Sequence, residues 1–135
     1  MEKSNSFEIN EEKVHVMSKL PKTWILDIDG TLAKHNGYKQ DGYDTFLLGK
    51  KNFLEMISEN DMIIIITARS SSEKERTEKF LKENKIRFDY VIYNAPFGER
   101  ILINDRKPSG LQMAYAINTV RDIACPDKFI FDETK

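Results

Sequence analysis

The run Asp61-Met62-Ile63-Ile64-Ile65-Ile66-Thr67 constrains the fold more than any other stretch of this chain. Four consecutive isoleucines leave no polar face, so the segment reads as a buried strand of the kind found inside a parallel sheet covered by helices. A second run, Trp24-Ile25-Leu26-Asp27-Ile28-Asp29 within residues 22–29, stays apolar until acids break its end. That pattern suits a buried parallel strand whose carboxyl end meets solvent. Residues 88–93 (FDYVIY) and 100–104 (RILIN) read as third and fourth strands, and residues 128–131 as a short last one.

Helical spacing falls between these strands. In residues 50–60, Phe53, Leu54, Met56 and Ile57 lie near one helix face. Ser70, Ser71 and Ser72 offer N-caps, with capping-box spacing from Ser70 to Glu73 and from Ser72 to Glu75, for a helix running to about Asn84. Residues 110–123 carry Leu111, Ala114, Tyr115, Ile117 and Val120 and predict another helix. Alternating strands and helices imply an α/β fold with a parallel sheet and right-handed crossovers, and such sheets bind ligands at the carboxyl ends of their strands. Between the first two strands, residues 30–49 hold Gly37, Gly42 and Gly49 with Tyr38, Tyr43 and Phe46. This composition suits a flap or hairpin, whose aromatics either contact substrate or pin the flap to the body.

A chain of 135 residues has room for one domain, expected over residues 21–135, with residues 1–20 as an N-terminal extension that adds a strand or short helix. The polar, charged start has no signal-peptide core, and no stretch reaches the length of a membrane span, so a cytoplasmic protein is expected. A net charge of -1 argues against nucleic acid as the main partner and leaves small phosphorylated substrates open. The single cysteine, Cys125, excludes an intramolecular disulfide and a Cys-based zinc cluster, and reads as a packed thiol. His15 and His35 are far apart and read as surface residues. Oligomeric state is not encoded in any of these features.

Three polar clusters fall at carboxyl ends of expected strands: Asp27, Asp29, Gly30 and Thr31; Thr67, Ala68 and Arg69; and Asn104 with Asp105. Acids gathered at one edge repel one another unless a hard cation such as Mg²⁺ neutralises them through oxygen ligands. With the metal on Asp27, Asp29 and Asp105, a phosphate could approach, and Asp27 could attack it to form an aspartyl-phosphate. Asp29, two residues on, faces the same side of an extended strand and can exchange protons with leaving group and water. Gly30 permits a sharp turn and Thr31 adds a hydroxyl, while Thr67, the Ala68 amide and Arg69 would bind phosphoryl oxygens. The Asp-x-Asp-Gly segment could instead form a simple turn. A calcium loop is disfavoured, because its seventh and twelfth positions would be Ala33 and Tyr38.

Asp27-Ile28-Asp29-Gly30-Thr31-Leu32 resembles the first motif of the haloacid dehalogenase (HAD) superfamily, residues 63–69 (IIIITAR) its second, and residues 101–105 its fourth. The resemblance spans residues 22–107 and implies a Rossmann-like three-layer sandwich with a central parallel sheet. It also implies a Mg²⁺-dependent phosphatase that is capless apart from a small flap. The chain is similar too to small bacterial and phage proteins linked to polysaccharide or sugar-phosphate biosynthesis. Where related phosphatases place a Lys-Pro pair, this chain has Ala95-Pro96, so the phosphate-holding lysine is missing. Lys107 is the expected substitute, with Arg69, Arg100 and Arg106 as rivals. Asn104 replaces an acid common in relatives, leaving Asp105 as the carboxylate from that strand. Two other readings stay open: a non-catalytic module that binds Mg²⁺ and a phosphorylated ligand or regulates a partner, and a phosphate-accepting receiver domain.

Overall fold

The computed structural model describes residues 12–49 and 52–134. The isoleucine run forms β3 (Met62–Ile66), flanked in parallel by β2 (Thr23–Leu26) and β4 (Tyr90–Ile92). Ile65 sits opposite Leu26 on one side and Val91 on the other. Ile63 and Ile65 are buried whereas Ile64 and Ile66 are half-buried, so one face of the sheet is more completely covered than the other. A second parallel pair joins β1 (Val14–Met17) to β5 (Lys128–Phe131). The fold is therefore mixed α/β, with parallel sheets and few helices. The last strand occupies the residues expected of it, and the extension contributes a strand rather than a helix.

The two sheets share one apolar cluster. Met17 and Phe129 from the smaller sheet belong to it together with Leu26, Ile63 and Ile65, and the Trp24 ring meets Phe129 edge-on at 5.1 Å. Short α1 (Gly37–Gln40) lies in the flap, and α2 (Lys74–Glu83) supplies Thr77, Phe80 and Leu81 to the interior. These three positions recur at helical spacing, which is why one face of α2 is buried. Ser70 caps the approach, its hydroxyl accepting from the Ser72 amide at 3.2 Å, and a 3₁₀ turn over Ser71–Glu73 feeds the helix. The helix stops at Asn84, after which Lys85 takes φ 57° and the Ile86 amide bonds back to Leu81 O at 2.9 Å. Residues 30–49, the flap, are closed by an antiparallel bridge from Ala33 to Phe46 and carry the short helix α1 within a segment expected to hold no helix. Phe46 packs on Phe80 at 6.2 Å and so pins the flap to α2.

Three expectations about secondary structure are corrected. Within residues 52–60 only a 3₁₀ turn forms, Phe53–Met56, stopped by the extended Ile57; the beginning of the expected helix, Lys50 and Lys51, lies outside the described residues, as do 1–11 of the extension. Residues 100–104 form no strand. Ile101 and Ile103 are 83% and 91% exposed, and without a ladder partner β-propensity alone does not fix an extended segment. Residues 110–123 form no helix. Gly110 adopts φ +91°, outside the helical region, and Asn118-Thr119-Val120 are weak helix formers in a segment whose apolar residues stay largely exposed. A short helix without a docking face is marginal in water.

Histidine and cysteine placements refine the reading of those residues. His15 is not a plain surface group: its Nε2 lies 2.7 Å from Asp127 Oδ2, and its ring stacks on Phe129 at 5.2 Å. Cys125 is half-buried against the core, and burial pushes its thiol up from the ordinary value. No helix among the described residues is long and apolar enough to cross a membrane.

Candidate functional site

The site begins where β2 ends. Asp27 and Asp29 alternate with Ile28, which is fully buried, so strand geometry sends the two acids to the opposite side from the core. The chain then turns sharply: the amides of Thr31, Leu32 and Ala33 all approach the Ile28 carbonyl at 2.8–3.1 Å, and the Gly30 amide bonds to Ala33 O at 2.7 Å. Gly30 makes this possible at φ +87°, a region costly for residues with a Cβ. Its carbonyl accepts from the Asp122 amide at 2.9 Å, and Asp122 Oδ1 accepts from the His35 amide at 2.7 Å. Residues 121–122 thus hold the turn and the root of the flap together.

Beyond this turn lies a cavity of about 760 Å³. Its lining includes Asp27 and Asp29 from the turn, His35, Tyr38 and Lys39 from the flap, Ala68 and Arg69 after β3, Arg76 from α2, and Phe97, Arg100 and Arg121 from the irregular segments. Five lining side chains are cationic and three, Asp27, Asp29 and Glu73, are acids. A cleft with that balance attracts anions.

Asp27 is the accessible acid. Its carboxylate is 38% exposed, accepts a hydrogen bond from the Arg100 guanidinium at 3.1 Å, and lies 3.3 Å from the Thr31 hydroxyl. Asp29 is held differently. Arg69 Nε and Nη2 donate to its two oxygens, both at 2.9 Å. The same guanidinium donates from Nη1 and Nη2 to Asp44 of the flap at 3.1 and 2.7 Å, and from Nη1 to the Thr77 hydroxyl of α2 at 3.0 Å. Those contacts use the five N–H donors of an arginine. The Tyr38 ring stacks above, with its centroid 4.3 Å from the guanidinium carbon. Burial alone would lower the Arg69 pKa, but hydrogen bonds and charge from Asp29 and Asp44 outweigh it and raise the pKa above the ordinary value.

The remaining sequence-based candidates divide. Gly30, Thr31, Ala68 and Arg69 lie at or beside the cavity. Thr67 is 1% exposed and lies behind it, its hydroxyl accepting from the Arg69 amide at 3.0 Å. Asp105 and Lys107 lie on the exposed segment 101–110 and are not among the residues lining the cavity. Of the cations weighed against Lys107, Arg100 is the one at Asp27, Arg69 is committed to Asp29 and Asp44, and Arg106 is exposed outside the lining. Sequence reasoning missed Asp44, Thr77 and Arg121. Asp44 stands in a flap that also carries Lys34, Lys39 and Asp41, so nothing in the sequence marks it out, and neither of the others carries a signal.

Among the described residues no group of three or more His, Cys, Asp or Glu side chains is gathered to hold a metal. The donor chemistry still suits a hard cation at Asp27. Mg²⁺ keeps several waters and binds through one or two carboxylates plus substrate phosphate, and Asp27 presents one half-exposed carboxylate to the cavity. Asp29 fits less well, because a guanidinium occupies both of its oxygens. Comparison of the chain with known protein families, curated proteins and solved structures finds no match.

Proposed function

We propose that this protein is a Mg²⁺-dependent phosphohydrolase of HAD type that cleaves a small phosphorylated metabolite, such as a sugar phosphate or nucleotide, through an aspartyl-phosphate on Asp27. The observation that carries the reading is the half-exposed Asp27 carboxylate at the carboxyl end of a parallel strand, facing a cationic cavity large enough for a metabolite. In the same proposal the fold is a Rossmann-like sandwich, with residues 21–135 as its domain, residues 1–20 as an extension and the flap in place of a large cap. The sequential order β2-β3-β4, with α2 between β3 and β4, supports that layering. The proposed compartment is the cytoplasm.

In this mechanism an Asp27 oxygen forms a bond to phosphorus as the bond from phosphorus to the leaving oxygen breaks. Asp29 gives that oxygen a proton. Water then attacks the aspartyl-phosphate, Asp29 takes its proton, and phosphate leaves with the Asp27 carboxylate restored. Gly30, Thr31 and the Ala68 amide line the path of the phosphoryl oxygens, and Thr67 supports that strand end from behind. Arg100 replaces Lys107 as the first choice for the missing cation, since it already neutralises Asp27 and can turn toward an arriving phosphate. Asp27 would hold Mg²⁺ at the cavity, and Asp29 and Asp105 would join it only if Arg69 released the one and the segment 101–110 folded in to bring the other. When bound, the metal supplies charge screening between the phosphate and the attacking carboxylate.

A second reading is favoured by a specific feature: both acids of the motif are already ion-paired, Asp27 to Arg100 and Asp29 to Arg69. A site so neutralised also suits a module that binds a phosphorylated ligand without cleaving it. Phosphate release from a panel of sugar phosphates, nucleotides and an aryl phosphate, with Mg²⁺ or EDTA, separates the two. Release that needs both Mg²⁺ and Asp27, tested with Asp27→Asn, is the result expected of the enzyme. Phosphorylated ligands that bind and are returned intact would establish the module.

A further inference from the structure

We infer that Asp44 is a positioning residue which, from the flap, sets the orientation of Asp29 through the shared guanidinium of Arg69; only the naming of Asp29 as the proton-transfer group rests on the proposed function. The side chains of Asp44 and Arg69 are 3% and 1% exposed, and Asp29 is 18% exposed. Removing charges this far from water is costly unless they are paired. Holding a flap on a body does not require that, since apolar contacts such as Phe46 on Phe80 achieve it without buried charge. The distinguishing property of the guanidinium is its rigid planar fork. Asp44 takes one N–H from each terminal nitrogen and Thr77 takes another, which leaves Nε and the remaining Nη2 hydrogen aimed at the two oxygens of Asp29. With Tyr38 stacked on the guanidinium, the fork has no free rotation.

Three elements meet on that one group: the turn after β2, the flap and α2. Lifting the flap withdraws Asp44 and frees Arg69 to rotate, and Asp29 then loses its fixed orientation. Flap closure and the placing of Asp29 are one event in this arrangement. The flap also carries His35, Tyr38 and Lys39 to the cavity wall, so a ligand that engages them draws the same latch shut.

The test uses the full-length protein carrying Asp44→Asn, which keeps the shape of the side chain and removes its charge, with Arg69→Lys as a second variant that cannot span two carboxylates. Three quantities are read: amide hydrogen exchange, the side-chain carboxyl ¹³C signal of Asp29, and kcat and KM for an aryl phosphate. The amides of Lys34 and Leu47 close the flap by bonding to Thr45 O and Leu32 O, both at 2.9 Å. They are expected to exchange about tenfold faster or more in both variants, a larger acceleration than at Ile65 in β3, whose exchange reports the loss of global stability. The Asp29 carboxyl signal is expected to move, and kcat to fall by about 10- to 100-fold with KM nearly unchanged, because Asp44 acts through another residue rather than on phosphate. Leu81→Ala, a core truncation outside the site, is the control: it lowers stability without moving the Asp29 signal. Unchanged flap exchange, or an Asp29 signal that stays in place when the flap loosens, overturns the inference. If wild type releases no phosphate, the enzymatic reading fails, yet exchange and the Asp29 signal still decide whether the latch exists.

Discussion

Replacing Arg69 by methionine removes the charge from a group that two buried carboxylates depend on. Asp44 at 3% exposure and Asp29 at 18% would be left without the guanidinium that donates two hydrogen bonds to each. Thr77 would lose its partner as well. Breaking a buried pair by deleting one member costs about 3–5 kcal/mol, chiefly because the other charge is stranded. Total stability in a domain of this size is about 5–15 kcal/mol, so Arg69→Met takes away a large part of it. Urea unfolding followed by the fluorescence of the single tryptophan, Trp24, reports the loss, since that indole packs on Phe129 in the shared core. With a urea dependence of about 1–3 kcal/mol per molar, the midpoint is expected to fall by roughly 1–5 M. Adding Asp44→Leu to Arg69→Met replaces one stranded carboxylate by an apolar side chain and is expected to recover about 1–3 kcal/mol. A loss below about 1 kcal/mol for the single variant, or a double variant no more stable than the single one, would refute this reasoning and place Arg69 among ordinary surface ion pairs.

Other outcomes follow from separate parts of the molecule. Burial tends to raise the carboxyl pKa of Asp61, but hydrogen bonds from the Trp24 indole at 2.9 Å and the amides of Lys22 and Ser58 at 3.0 and 3.2 Å hold it below its ordinary 3.8. A lowered folded-state pKa stabilises the fold above 3.8, and this contribution is lost as pH falls toward the folded value. Asp61→Asn should therefore be less stable than wild type at neutral pH, with the gap closing under acid; a gap independent of pH would contradict the assignment. Leu81→Ala, at a fully buried position on α2, is expected to cost about 2–5 kcal/mol by thermal or urea unfolding, and a cost under about 1 would mean that α2 is not packed as described. Gly30→Ala forces a Cβ into φ +87° and to 3.4 Å from Arg121 Cγ. It should lower stability by about 1–2 kcal/mol and slow any phosphate release, and a neutral effect on both would show that the turn is not under this constraint.

The parts of the fold legible in the sequence are those where local pattern and tertiary packing agree. The isoleucine run, the last strand and α2 fall close to where periodicity puts them, because each also buries its apolar side against the shared core, whereas Ser70 caps the 3₁₀ turn before α2 rather than the helix itself. Residues 100–104 and 110–123 show the reverse. Their apolar residues carry strand and helix patterns, yet none of them is buried, although Tyr115 meets the His15 ring edge-on, so propensity alone does not order them. In the site, Asp27, Asp29 and Arg69 were visible because they follow strands directly. Asp44, Thr77 and Arg121 were not, because their roles arise from the way the flap, α2 and the segment over Gly30 fold back on the turn. Lys107 is close to Asp105 in sequence, whereas contact with Asp27 falls to Arg100, 73 residues away along the chain.

The central claim is that Asp27 becomes covalently phosphorylated, and trapping that species tests it most directly. Protein mixed with an aryl phosphate and Mg²⁺, quenched in acid within the first turnover and digested, is expected to yield a phosphorylated peptide containing Asp27, with no such adduct in Asp27→Asn or in EDTA. Ready phosphate release with Asp27 unmodified at every quench time, or release undiminished in Asp27→Asn, would contradict the account.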